Sequence, residues 1–271
     1  MLSVNSNGLA SGIAFNLNRI SNSLAETTER ISTGKRINSA ADDPAGMAIS
    51  RKLQTELGSY RVVERNISNG RSLLEVSDTA LTGVADTMQE MRKLAVQASD
   101  GNLTAEQRDA INETFVELKA QVEDIVDNAS LFGKNLISSA AADVDIQVGI
   151  NGGDSKTLTS AASDIATLGI DGSTVDTAAN ATTAIASLDT ALDTISTNQA
   201  VIGAQTNALK VRGETVASYM KTIENANSRI EDVDLAKESA NLQKLQTQQQ
   251  LAVSMLGMAS TLPQSALQLI R

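Results

Sequence analysis

The chain has 271 residues, with 22 Lys and Arg against 32 Asp and Glu, a net charge of -10, and no His, Cys or Trp. That composition excludes His-based triads, thiol nucleophiles, disulfides and the usual zinc and copper ligand sets, leaving only carboxylate or Lys chemistry or a hard cation held by carboxylates. The acidic balance repels nucleic acid and anionic membrane surfaces, and five rings (Phe15, Tyr60, Phe115, Phe132, Tyr219) are too few for a core built on aromatics.

From Leu2 to Asn18 no side chain is charged, and Leu9, Ile13, Leu17, Ile20, Leu24 and Ile31 make a helical stripe. The start has no basic residue and no continuous apolar stretch, so it does not read as a cleaved secretory signal. No run in the chain is long and apolar enough to cross a bilayer, so membrane insertion is not expected.

Asp42-Asp43-Pro44 predicts the start of a long helix, with an Asp capping free amides and Pro at the first helical position. Its 3,4 spacing runs through Val63, Ile67, Gly70, Leu74, Ser77, Leu81, Val84, Met88, Met91, Ala95 and Ala98, and it ends at Asp100-Gly101. About 57 residues at ~1.5 Å each make roughly 85 Å, the length of a rod. Thr104 to Gln107 reads as a capping box opening a second helix. Ile111, Phe115, Leu118, Val122, Ile125 and Ala129 form its stripe, and Phe132-Gly133 is expected to close it.

The period then changes to two over Val144, Ile146, Val148 and Ile150, a strand with one buried face; Asn151 to Asp154 is turn chemistry and Lys156 to Thr159 returns as the second strand. Residues 155–180 are rich in Ser, Thr, Ala and Asp without a clear period and read as a polar surface excursion. A third long helix follows with Ile185, Leu188, Leu192, Ile195, Ile202, Leu209, Val216, Met220, Ile223 and Ile230, interrupted by Gln199, Thr206, Gly213 and Asn227. The C-terminal stretch from Leu245 to Ile270 is again uncharged, and Leu242, Leu245, Ala252, Leu256 and Ala259 fall on a 3.5 period. Faces away from the two terminal seams read as Gln, Ser, Asn and Thr in place of Lys and Glu. A helix solvated by bulk water carries charge on its outer face, so these ends read as surfaces for other copies.

The expected fold is mainly α: an elongated rod of long antiparallel heptad helices with a small β-hairpin near 136–159, the terminal helices forming a coiled coil on assembly. The expected division is 1–43 and 233–271 for the inner coiled coil and 44–232 for the rod, including the polar excursion at 155–180. Ser32-Thr33-Gly34-Lys35 brushes against a phosphate loop but lacks its first Gly, and Arg36 stands where Ser or Thr would hold Mg²⁺. Asp42 and Asp43 read as caps before they read as catalytic carboxylates. Glu231, Asp232 and Asp234 lack the Gly turn and spaced oxygens of a Ca²⁺ loop and read as a solvated helix face. No metal, cofactor or catalytic residue is expected. Self-assembly into a fibre is the natural function class for such a surface-rich chain.

Arg30 to Ser50 reads RISTGKRINSAADDPAGMAIS, which closely resembles the N-terminal signature of bacterial flagellins. MRKLAVQ at Met91–Gln97, SRIEDVD at Ser228–Asp234 and the closing LPQSALQLIR resemble further stretches of that family in the same order. The resemblance implies a subunit that polymerises with itself into the flagellar filament for swimming motility, near-minimal because the middle leaves little room for an outer domain. The alternatives are the hook-filament junction protein and a coiled-coil binding adaptor. It also implies passage through the flagellar type III export apparatus, an extracellular location, and an export chaperone, filament cap and hook-junction proteins as partners. The resemblance further implies an innate-receptor face at Gln89, Glu90, Arg92 and Leu94. Glu90 stands where many flagellins have Arg, which argues against recognition.

Overall fold

Heptad spacing becomes packing in the computed structural model, which describes residues 8–268, with side chains to residue 261. The first residues of the uncharged N-terminal stretch and the last three of LPQSALQLIR lie outside the described residues. Five helices are described: α1 Gly8–Thr33, α2 Pro44–Ala98, α3 Ala105–Asn128, α4 Ala178–Glu231 and α5 Leu235–Gln268. The chain divides into two units, residues 56–221 and residues 1–55 with 222–271. The limits of these units fall within α2 and α4.

In the unit 56–221 every predicted position of the α2 stripe, from Val63 to Ala98, is buried. The two positions that are not ordinary apolar side chains have specific reasons. A Cβ on Gly70 would stand 3.1 Å from Cδ1 of Leu209 and 3.2 Å from Cγ1 of Ile146, so this seam position is empty to let α4 and the hairpin approach. Ser77 is fully buried, and its hydroxyl donates to the Leu73 carbonyl at 2.9 Å, satisfied within its own helix. Phe115, Val122 and Val126 of α3 and Leu188, Ile195, Ile202, Leu209 and Val216 of α4 complete this core. Each such aliphatic contributes about 1.5–3 kcal/mol relative to exposure. Ala181, Ala184 and Ala191, outside the predicted stripe, are buried as well.

The α2–α3 connection is closed by Arg108, whose Nε donates to the Ala98 carbonyl at 2.8 Å and whose Nη2 donates to that of Asp100 at 3.0 Å, pairing acceptors left at the end of α2. The capping box is formed as read: the Gln107 amide reaches the Thr104 hydroxyl, and the Gln107 side chain accepts from the Thr104 N–H at 3.0 Å. Helix α3 ends at Asn128, before Phe132-Gly133. That dipeptide instead turns a short hairpin, β1 Ser130–Leu131 with β2 Lys134–Asn135. Both turn residues have positive φ, 54° at Phe132 and 71° at Gly133.

The predicted hairpin is β3 Val144–Gln147 and β4 Ser155–Leu158, antiparallel with Val144 opposite Leu158; β3 stops short of Val148 and Ile150, which the alternation placed in the same strand. The segment that follows is not the polar excursion expected from its composition. Leu158, Ile165, Leu168, Ile170 and Val175 are all in the core. Their irregular spacing left no stripe to read, yet each apolar side chain finds its own niche. The polar residues between them are satisfied locally: Asn198 donates to the buried Ser163 hydroxyl at 2.9 Å, and the Asp164 carboxylate accepts from the Thr167 N–H and hydroxyl. The Val175 N–H donates to the Asn112 side chain at 2.9 Å, tying the segment to α3.

Candidate assembly surface

The unit 1–55 with 222–271 is built on α1 and α5, which pack against each other. They run antiparallel: Ser21 meets Gln249 at 3.4 Å and Arg30 meets Glu238 at 3.9 Å, so the contact number falls in one helix as it rises in the other. Of the residues expected at the seam, Ile13, Leu17, Ile20, Leu24, Leu242, Leu245 and Leu256 are half-buried and Ala252 is buried. Leu9 is instead 60% exposed. Among the described side chains of the two helices only Thr27, Ala252 and Ala259 are buried. A pair of helices encloses a line, not a volume, so long side chains on the line keep one flank in water.

The faces away from the seam correct the expectation of a purely polar surface. Phe15 on α1 is 70% exposed, and Leu251, Val253, Met255 and Met258 on α5 are all more than half exposed. These five residues were missed because they lie off the seam positions: Leu251, Met255 and Met258 repeat the 4,3 spacing of Ala252, Leu256 and Ala259 one residue out of phase, and Phe15 and Val253 fall outside both stripes. The signal that reveals them is an apolar residue within an uncharged stretch at a position its seam does not use.

A second cluster holds the chain on either side of this pair. The link from α1 to α2 pairs with the link from α4 to α5: the Arg36 N–H donates to the Glu231 carbonyl at 2.6 Å, the Val233 N–H to that of Gly34 at 3.0 Å, and Arg36 Nη2 to that of Ile230 at 2.7 Å. Glu231 is only 7% exposed, which corrects its reading as part of a solvated face. Its carboxylate accepts from Lys35 Nζ at 2.5 Å, the Ser50 hydroxyl at 2.8 Å, Gln54 Nε2 at 2.9 Å and Asn227 Nδ2 at 3.0 Å. Burial opposes its ionisation, but Lys35, Ser50 and Asn227 outweigh it and lower the carboxyl pKa to about 2. The neighbouring acids have separate tasks. Asp42 accepts from the Ser39 N–H and hydroxyl and from the Asn38 N–H, which hold its pKa below the ordinary value, while Asp43 caps α2 through the Gly46 N–H and Asp234 caps α5 through Ala236 and Lys237. Among the described residues no group of carboxylates is placed to hold a metal ion, and no helix is long and apolar enough to cross a membrane.

The four residues of the implied receptor face do not act alike. Arg92 is engaged across the unit 56–221, its Nε 2.5 Å from Oδ1 of Asp189 on α4, and Leu94 is half-buried against the core. Gln89 and Glu90 are exposed, with Glu90 accepting from Lys93 one turn along at 2.7 Å.

Two long helical regions joined through a half-covered pair of helices, α1 and α5, define a class of mainly helical protein. The family model described as Bacterial flagellin N-terminal helical region matches residues 4–142, and that described as Bacterial flagellin C-terminal helical region matches 185–270. Relatives include a flagellin of Halalkalibacterium halodurans, 31% identical over 90% of both chains, and the flagellar filament 33 kDa core protein of Treponema phagedenis, 30% identical over 92% of this chain and 93% of that one. The crystal structure of Bacillus cereus flagellin aligns with a TM-score of 0.52 at 28% identity, covering 56% of this chain and 88% of that one. A hook-associated protein of Vibrio parahaemolyticus shares the fold alone, with a TM-score of 0.58 at 14% identity over 70% of this chain and 100% of that one. The chain belongs to the bacterial flagellin family, in a short form without an outer domain. It is a structural subunit of the flagellar filament, not an enzyme.

Proposed function

We propose that this subunit polymerises through the α1–α5 pair, with neighbouring copies covering both flanks of the seam. The observation that supports this reading is the set of exposed apolar side chains Phe15, Leu251, Val253, Met255 and Met258 on the two helices that carry half-buried Ile13, Leu17, Ile20, Leu24, Leu242, Leu245 and Leu256. Removing that surface from water in a bundle of copies supplies the driving force that the isolated pair lacks. Leu9, exposed at the start of α1, joins the same interface. The filament is extracellular, and the subunit reaches it through the flagellar type III apparatus with an export chaperone; the filament cap and hook-junction proteins meet it at the two ends.

Seeded polymerisation tests the proposal. Short filament fragments added to purified subunit should elongate, as seen by negative-stain microscopy, while Leu256→Asp should leave the helical content intact and stop elongation. A carboxylate placed in a packed seam without a partner costs several kcal/mol. Filaments of ordinary length from the variant would overturn the assignment of the seam.

A further inference from the structure

We infer that Tyr60 and Tyr219 form a built-in site for oxidative coupling, at which a one-electron oxidant of the peroxidase and peroxide class joins the two rings and staples α2 to α4. These are the two tyrosines of the chain, and they face each other across the unit 56–221 with ring centroids 6.1 Å apart and planes tilted by 55°. Tyr60 is half-buried against the core, which holds its ring in place, and Tyr219 is 48% exposed, which admits an oxidant. The chain has no Cys, Trp or His to divert the oxidising equivalents. Its methionines answer to two-electron oxygen transfer, which gives sulfoxides and leaves the phenols untouched.

Each phenol gives up one electron and its hydroxyl proton. The two phenoxyl radicals join through a bond between ring carbons ortho to oxygen. The hydrogens on those carbons then return to the phenol oxygens, so the product has lost two hydrogens overall while one peroxide is reduced to two waters. Because the rings are already adjacent on two anchored helices, coupling within one chain outpaces encounter between chains. The product closes a long loop of chain, so the unit 56–221 should resist heat and denaturant better after coupling. The inference concerns this contact alone and is independent of how the subunit assembles.

The full-length subunit is treated with horseradish peroxidase and limiting hydrogen peroxide at several protein concentrations, then followed by intact mass, dityrosine fluorescence and peptide mapping. The expected result is a monomeric species lacking two hydrogens, a cross-linked peptide pair carrying Tyr60 and Tyr219, and a yield per chain independent of protein concentration. Tyr60→Phe and Tyr219→Phe, which remove only a hydroxyl and should keep the native circular dichroism, should each lose the intrachain product. Covalent dimers as the main product in the wild type, or hydroxylated monomer without dityrosine fluorescence, would overturn the site.

Discussion

The ammonium of Lys35 stands 2.5 Å from Oε1 of Glu231, joining the stretch that resembles the N-terminal flagellin signature to the one that resembles the C-terminal signature. Ser50 of the first stretch donates to the same carboxylate, and the backbone of the two stretches pairs beside it. The two motifs are therefore halves of one structure, a polar clasp beside the pair of terminal helices. Each donor is needed, because a buried carboxylate that loses a partner keeps its desolvation penalty.

That clasp gives the unit 1–55 with 222–271 a defined response to acid. The Glu231 carboxyl has its pKa lowered from 4.5 to about 2, so its contribution is complete above pH 4.5 and is lost as pH falls through that interval. The shift corresponds to about 3 kcal/mol at neutral pH. Glu231→Gln should be destabilised by an amount of that order, and its deficit against the wild type should shrink as pH falls from 4.5 toward 2. Denaturant titrations of both proteins across this window check it; a deficit independent of pH would contradict the assignment.

The terminal helices should be the first part of the free subunit to open. Few of their side chains are buried, and the pair gains little against roughly 1–2 kcal/mol of backbone entropy per ordered residue. Amide hydrogen exchange should show weak protection over residues 9–24 and 242–256 in the monomer and strong protection in filaments. Equal, strong protection in both states would show that assembly adds nothing to these helices.

Phe132 is held at φ 54° at the tip of the β1–β2 turn with 73% of its surface exposed. A bulky side chain in the left-handed region costs about 1–2 kcal/mol, whereas Asn enters it with less penalty. Phe132→Asn should therefore stabilise the unit 56–221 by about 1 kcal/mol, read as a higher thermal midpoint. A lower midpoint would mean that the exposed ring makes a contact worth more than the strain.

Glu90 offers a direct test of the receptor face. Its side chain is exposed, so reversing its charge should leave the fold unchanged and alter only what meets it from outside. Glu90→Arg should raise potency in a reporter assay for the mammalian flagellin receptor by about tenfold, since removing a mismatched charge from an interface recovers 1 kcal/mol or more. Equal potency of the two forms would remove Glu90 as a determinant.

Much of the helical framework was legible because it depends on spacing along one segment. The α2 stripe, the Thr104–Gln107 capping box and the β3–β4 pairing all use a period, a cap or a turn that a few neighbouring residues specify, and all of them appear in the structure, with β3 ending before Val148. The signature stretches marked the family on the same local terms. The outward residues of α5 were harder to see, since Leu251, Met255 and Met258 repeat the period of the seam one residue out of phase and Val253 belongs to neither stripe.

What the sequence by itself determined was which faces of α2, α3 and α4 turn inward, because burial of apolar side chains follows helix periodicity wherever a neighbour exists. Only the tertiary structure decided the fate of residues whose partners are distant in the chain. Ile165, Leu168, Ile170 and Val175 are aperiodic and enter the core because other elements leave room for them. Glu231 looks like one acid among several until folding brings Lys35 and Ser50 against it, and its burial follows from that encounter. Local spacing chooses the secondary structure; the burial of a charge is settled only where donors from remote segments converge to replace its water.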